Sequence, residues 1–266
     1  MNMWLSELRQ ATGAEWVKLR SVRSTWWCLV CATALMVLSA LTLGAGTATD
    51  MVRDGAGRPF PASQPVTSAT SFAQFALVAL AMLAITSEYA SGSIRTTLQA
   101  TPIRGRVLAA KALVLVPVTF AAGVLSGGVA TVAVYVVLSA DVFGGYVALP
   151  LTEVVPELLS VGLFFALVSV TTLGVGAAMR GSAGTLSTVF MLLMGVPLLL
   201  MMAGSRMAFE VSLRMPMFAG LAFMGSTDTP IGGPVPYSAP EGLAWLLAWT
   251  AVAVGAGYAV LRRRDA

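Results

Sequence analysis

The chain has 266 residues, 57 % of them hydrophobic and only 11 % charged, with 16 basic and 12 acidic side chains and no histidine. Soluble proteins commonly charge about a quarter of their residues, so a soluble globular domain is excluded. Without histidine, most imidazole-based general-base, proton-relay and metal-ligand schemes fall away as well.

The few charges are clustered. Uncharged windows run over 24–49, 59–87, 112–140, 158–179, 181–205 and 242–261. The shortest window, 242–261, holds 20 residues, and a helix needs roughly that number to cross a bilayer core. The expected fold is therefore all-α and polytopic, with an interfacial segment over 1–24 and a six-span domain over 25–266. The spans are expected at about 25–46, 68–87, 112–138, 158–179, 183–203 and 243–261.

Residues 1–24 read as an amphipathic interfacial helix. Trp4, Leu5, Leu8, Trp16, Leu19 and Val22 line its apolar side, and Arg9, Lys18, Arg20 and Arg23 reach for headgroups. Gly13 leaves room for two short helices instead. The competing reading is a positive flank that merely orients the first span. The first apolar run starts late and is longer than a signal-peptide core, so it is expected to stay as an anchor. Cys28 and Cys31 form a C-x-x-C pair. Two small apolar residues on one helix face outweigh a redox or metal pair, since no second pair and no histidine completes a site.

Span two is the least secure, because it carries Gln74 and opens with Ser and Thr. Pro117 and Pro197 mark places for kinks in spans three and five. The pairs Gly123 with Gly127 and Gly174 with Ala178 fit close helix contacts, with contacts inside one subunit favoured over a dimer seam. Met191 to Met202 reads as helix-surface filler rather than an adaptable binding face. The stretch 215–225 is apolar but too short to span, and is expected to be re-entrant or interfacial.

Between spans two and three lies the segment richest in motifs. Gly92 can break the span, Ser93 can cap a short helix over 94–100, and Pro102 and Gly105 can close it. Ile94 and Leu98 then share a face by their i, i+4 spacing, forming a knob suited to a groove on a soluble partner. Glu88 is weighed between pairing with Arg95 or a neighbouring base and simple hydration. Arg104, Arg106 and Lys111 are expected to anchor topology rather than make contacts.

Orientation follows from the basic residues. With the N-terminus inside, 12 of the 16 fall on the cytoplasmic side and four outside (Arg53, Arg58, Arg206 and Arg214). The positive-inside rule then expects both termini in the cytoplasm, which requires an even number of spans. Every charge lies in a loop or at a span end, unlike the intramembrane groups expected of a proton-coupled pump or ion channel. Only Lys18 and Lys111 are lysines, which reads as codon usage, and neither sits in a G-x-x-x-x-G-K-[ST] phosphate loop.

Two segments carry a resemblance. Glu15-Trp16-Val17-Lys18-Leu19-Arg20-Ser21-Val22-Arg23-Ser24-Thr25-Trp26-Trp27 resembles the opening of ABC-2 type transporter permeases. The loop from Ser87 to Lys111, with Glu88-Tyr89, Gly92, Ile94-Arg95, Leu98, Pro102, Arg104 and the closing lysine, is similar to that family's cytoplasmic loop. The resemblance implies a dimer of six-span units in a bacterial plasma membrane, probing no nucleic acid and binding no cofactor itself. It implies a separate cytoplasmic ATPase subunit that holds ATP and magnesium. The loop after span two would be its coupling helix, and residues 1–24, with Trp16, Lys18, Arg20 and Arg23, an elbow along the inner membrane surface. An apolar or amphipathic small molecule, lipid or peptide would be the exported cargo.

Two other classes stand beside this reading. Asp54-Gly55-Ala56-Gly57-Arg58 faintly resembles the start of a lipid-headgroup transferase motif, but lacks further aspartates. A membrane-embedded enzyme also wants acid–base groups that this chain lacks. A non-transporting immunity or signalling scaffold is compatible with six spans, and the coupling-type loop argues against it.

Overall fold

The computed structural model describes residues 2–54, 59–100, 103–140, 143, 145–227 and 229–263, without the side chains of 2–5, 54, 98 and 100. Pro102 and residues 55–58 of the transferase-like stretch lie outside the described residues.

The chain is all-α and polytopic. Helix α1 (Asn2–Ser21) is continuous through Gly13, so the two-helix alternative does not hold. After one non-helical residue, Val22, comes α2 (Arg23–Asp54), followed by α3 (Gln64–Ser91), the short α4 (Ile94–Ala100), α5 (Arg104–Leu138) and α6 (Leu151–Met179). Then follow α7 (Ser182–Phe190), a π-helical turn over Met191–Gly195, and α8 (Val196–Met202). Short helices α9 (Arg206–Leu213) and α10 (Pro216–Phe223) precede the last span, α11 (Ala239–Arg263).

Six segments are long and apolar enough to cross a membrane: α2, α3, α5, α6, the joined α7–α8, and α11. Several extend past their uncharged windows, because a helix continues through the interface once its backbone is hydrogen-bonded. Thus α5 starts at Arg104 rather than 112, and Gly105 lies inside it instead of closing the preceding loop. Pro117 sits within α5, whereas Pro197 follows the π-helical turn at the start of α8, where its missing N–H is tolerated.

Helix α3, the span least secure in sequence, is the central one, with 67 % of its apolar window buried against 17 % for α11. Its small and hydroxylated side chains let α2, α5 and α6 approach closely. Gln74 is fully buried, and its Nε2 donates to the Ser71 carbonyl. Thr70 and Thr86 return their hydroxyls to their own helix, to Thr67 and Met82. A polar face can therefore lie in the bundle without unsatisfied hydroxyls at those positions.

Close glycine contacts join helices within the chain, as expected. A Cβ on Gly123 would lie 2.8 Å from the Gly162 Cα on α6, and one on Gly174 would lie 2.6 Å from the Ala253 carbonyl on α11.

At one end, a parallel pair of two-residue strands, β1 (Phe60–Pro61) and β2 (Val147–Ala148), clips the loop after α2 to the loop after α5. Helices α9 and α10 fold back beside it. Ser212 donates to the Pro197 carbonyl at 2.8 Å, and Tyr237 Oη to the Leu213 carbonyl at 2.6 Å. Helix α10 is buried nearly throughout and does not span. The opposite end carries α1, α4 and the C-terminus of α11.

Candidate functional site

That opposite end holds the chemistry. On α1, Glu15 and Lys18 are three residues apart and share a face. On α3, Glu88 lies one turn beyond Ala84. On α5, Lys111 is in the second turn. These four side chains form one ionic junction. Lys111 Nζ lies 2.7 Å from Glu15 Oε2, 2.8 Å from Glu88 Oε1 and 2.9 Å from the Ala84 carbonyl. Lys18 Nζ lies 2.9 Å from both Glu15 Oε1 and Glu88 Oε1.

The electrostatics close locally, with two ammoniums against two carboxylates. Lys111 is 1 % exposed at its side chain and its three N–H donors meet three acceptors, the arrangement a buried ammonium requires. Lys18, half exposed, lies outside the spans. Burial alone would lower its pKa, but hydrogen bonds to Glu88 and Glu15 outweigh it and raise the value above the ordinary lysine range.

Four sequence expectations are corrected here. Glu88 pairs with Lys111 and Lys18, both close enough to bond, and Arg95 stays exposed. Lys111, Arg104 and Arg106 are contacts rather than simple topology anchors. Arg106 pairs with Glu7 on α1, and Arg104 donates to the Leu261 carbonyl on α11. Lys111 lies inside a membrane-crossing helix, so charge is not confined to loops and span ends. Lastly, Ile94 is 4 % exposed and packs into its own chain, so it cannot be an outward knob.

The remaining loop residues surround this junction. Tyr89 lies beneath the Arg180 guanidinium, 5.7 Å from ring centroid, linking the end of α3 to the α6–α7 corner. Gly92 ends α3 in the left-handed region at φ 72°, where glycine has no Cβ penalty. Helix α4 occupies 94–100 as its spacing predicts, and Arg95, Thr96 and Gln99 are exposed on it. Leu98 belongs to α4, but its side chain is outside the described set, as is Pro102.

On the elbow, Trp16, Arg20 and Arg23 are exposed, as are Trp26 and Trp27 just beyond it. Trp26 Nε1 donates to the Arg20 carbonyl at 3.2 Å, fixing the α1–α2 corner. Cys28 and Cys31 carry free thiols on α2. Among the described residues no group of three or more His, Cys, Asp or Glu side chains is placed to hold a metal.

Glu15, Lys111 and Arg106 are the contacts that sequence reasoning missed. A signal existed: the only two lysines among 16 basic residues both enter the junction. A compact ammonium can meet three convergent acceptors, which a planar guanidinium cannot.

No protein-family model matches the chain, and a search of curated proteins likewise finds no match.

Proposed function

We propose that this multi-pass membrane protein is the permease subunit of an ATP-driven exporter of the ABC-2 type. The observation that supports the reading is the ionic junction. It fastens α1 and α5 to the last turn of α3, directly before the Gly92 break and α4. A push on α4 is therefore delivered to three helices together, as a coupling element requires.

In this reading both termini are cytoplasmic in a bacterial plasma membrane, and α4 meets a separate ATPase that binds ATP and magnesium. The contact face is Arg95, Thr96 and Gln99, since Ile94 is turned inward. The permease works as a homodimer and passes an apolar or amphipathic small molecule, lipid or peptide. The chain itself is a transport component rather than an enzyme.

Affinity purification from native membranes in mild detergent, with partners identified by mass spectrometry, tests this. A stoichiometric ATPase bearing a phosphate loop is the expected result. An intact complex reproducibly lacking any ATPase overturns the reading and leaves a self-contained scaffold.

A further inference from the structure

A cavity of about 390 Å³ opens between α1, α2 and α3, beside the ionic junction. Its walls divide by chemistry. Leu19, Val22, Leu80 and Leu83 make one side apolar, while Lys18, Glu88, Ser24 and Ser91 gather polar groups on the other. We propose that this cavity binds the headgroup of a zwitterionic lipid bearing a primary ammonium, of the phosphatidylethanolamine type.

Three observations carry the assignment. First, Glu88 is 7 % exposed, and its Oε1 receives both lysines while its buried Oε2 has no hydrogen-bond partner. A buried carboxylate oxygen without a donor is costly, and an ammonium N–H entering the cavity would satisfy it. A quaternary ammonium has no N–H and could not.

Second, the charges of Glu15, Glu88, Lys18 and Lys111 already cancel. A neutral zwitterion enters without leaving an uncompensated charge, whereas a simple cation or anion does not. Lys18 Nζ spends two of its three N–H donors on Glu15 and Glu88, and the third, on the half-exposed side of the junction, suits a phosphate oxygen.

Third, Trp16, Trp26 and Trp27 are all exposed around the α1–α2 corner beside the cavity. Tryptophan favours the headgroup layer of a bilayer, with its ring apolar and its N–H wet. That places the cavity at the depth where lipid headgroups lie, which favours a lipid over a soluble amine. The site does not depend on the transporter reading, since none of these observations involves an ATPase.

Native mass spectrometry of the full-length protein tests it. The protein is mixed with equimolar phosphatidylethanolamine, phosphatidylcholine and phosphatidylglycerol, and separately with dodecylammonium. One phosphatidylethanolamine adduct is expected, preferred about tenfold over the other two lipids, as loss of a hydrogen bond to a charged group implies. Glu88→Gln should abolish the preference. Ser87→Phe, which blocks the cavity without touching the ion pairs, should abolish the adduct and serves where Glu88→Gln does not fold. Equal retention of the three lipids, or retention of the preference in the folded variants, overturns the proposal. So does a dodecylammonium adduct without a phosphatidylethanolamine one, which would mark a site for cationic amphiphiles.

Discussion

Lys111 of α5 and Glu88 of α3 meet at 2.8 Å, with only 1 % and 8 % of their side chains exposed. A pair so buried has lost most of its hydration, so each charge depends on the other. Breaking one side leaves the partner uncompensated. We expect Lys111→Met to destabilise the protein by about 3–5 kcal/mol. Joint replacement of Lys111, Glu88 and Glu15 by apolar residues of similar volume should recover much of the loss. Denaturant unfolding in detergent micelles measures both, and a single variant as stable as the parent would contradict the geometry.

Lys111→Arg should not be conservative. Three acceptors converge on one nitrogen, while a guanidinium spreads its donors over a plane and is larger. A loss of about 1–3 kcal/mol is expected from overpacking alone. Thermal unfolding of the arginine variant beside the parent decides it.

Alkaline pH should weaken the fold through two groups outside the spans. The Lys18 pKa is raised in the folded state, so its contribution is full below the unfolded value and fades as pH rises through the folded one. Burial also pushes the Tyr237 phenol well above its ordinary value, so the unfolded chain ionises first. Both slopes have the same sign, and Tm should fall on going from about pH 9 to pH 11, the range above the ordinary tyrosine and lysine values. Tyr237→Phe should flatten the fall, at the expense of the bond to the Leu213 carbonyl.

Gly174 is expected to accept no side chain. A Cβ there would overlap the Ala253 backbone of α11, where no rotamer change can relieve it. Gly174→Leu should separate α6 from α11 and cost at least the roughly 1–3 kcal/mol of ordinary core overpacking. Cross-linking between cysteines placed on the two helices, efficient in the parent and lost in the variant, reports the separation.

The two kinds of change on α4 should divide cleanly. Ile94→Asp buries a charge and should lower stability whatever the partner, since Ile94 is 4 % exposed. Arg95→Glu alters only an exposed residue and should leave Tm unchanged while weakening co-purification of the ATPase. Undiminished co-purification with Arg95→Glu, and with like changes at Thr96 and Gln99, would remove α4 as the docking element.

Much of the architecture was legible in sequence because bilayer thickness imposes a length rule on uncharged runs. Six such runs, the Gly92 break and the 94–100 helix all follow from local residue chemistry. Gln74 misled, because one amide lowers the apparent hydropathy of a span yet bonds within its own helix when buried. The Phe60–Val147 strand clip left no signal, since two-residue strands have no periodicity to read.

Charge placement is where local reasoning ends. A basic residue near a span end serves topology equally well whether it faces lipid headgroups or the interior, so sequence alone left Lys111 as an anchor. Which way it points depends on the rotation of α5 about its axis, set by the packing of α1, α2, α3 and α6 around it. Length, composition and charge spacing determined by themselves that this chain is a six-span helical membrane protein with a short helix between spans two and three. Only the tertiary structure decided that Glu15, Lys18, Glu88 and Lys111, separated by up to 96 residues, form one neutral junction. Such a contact exists only once the folded helices have removed its members from water together.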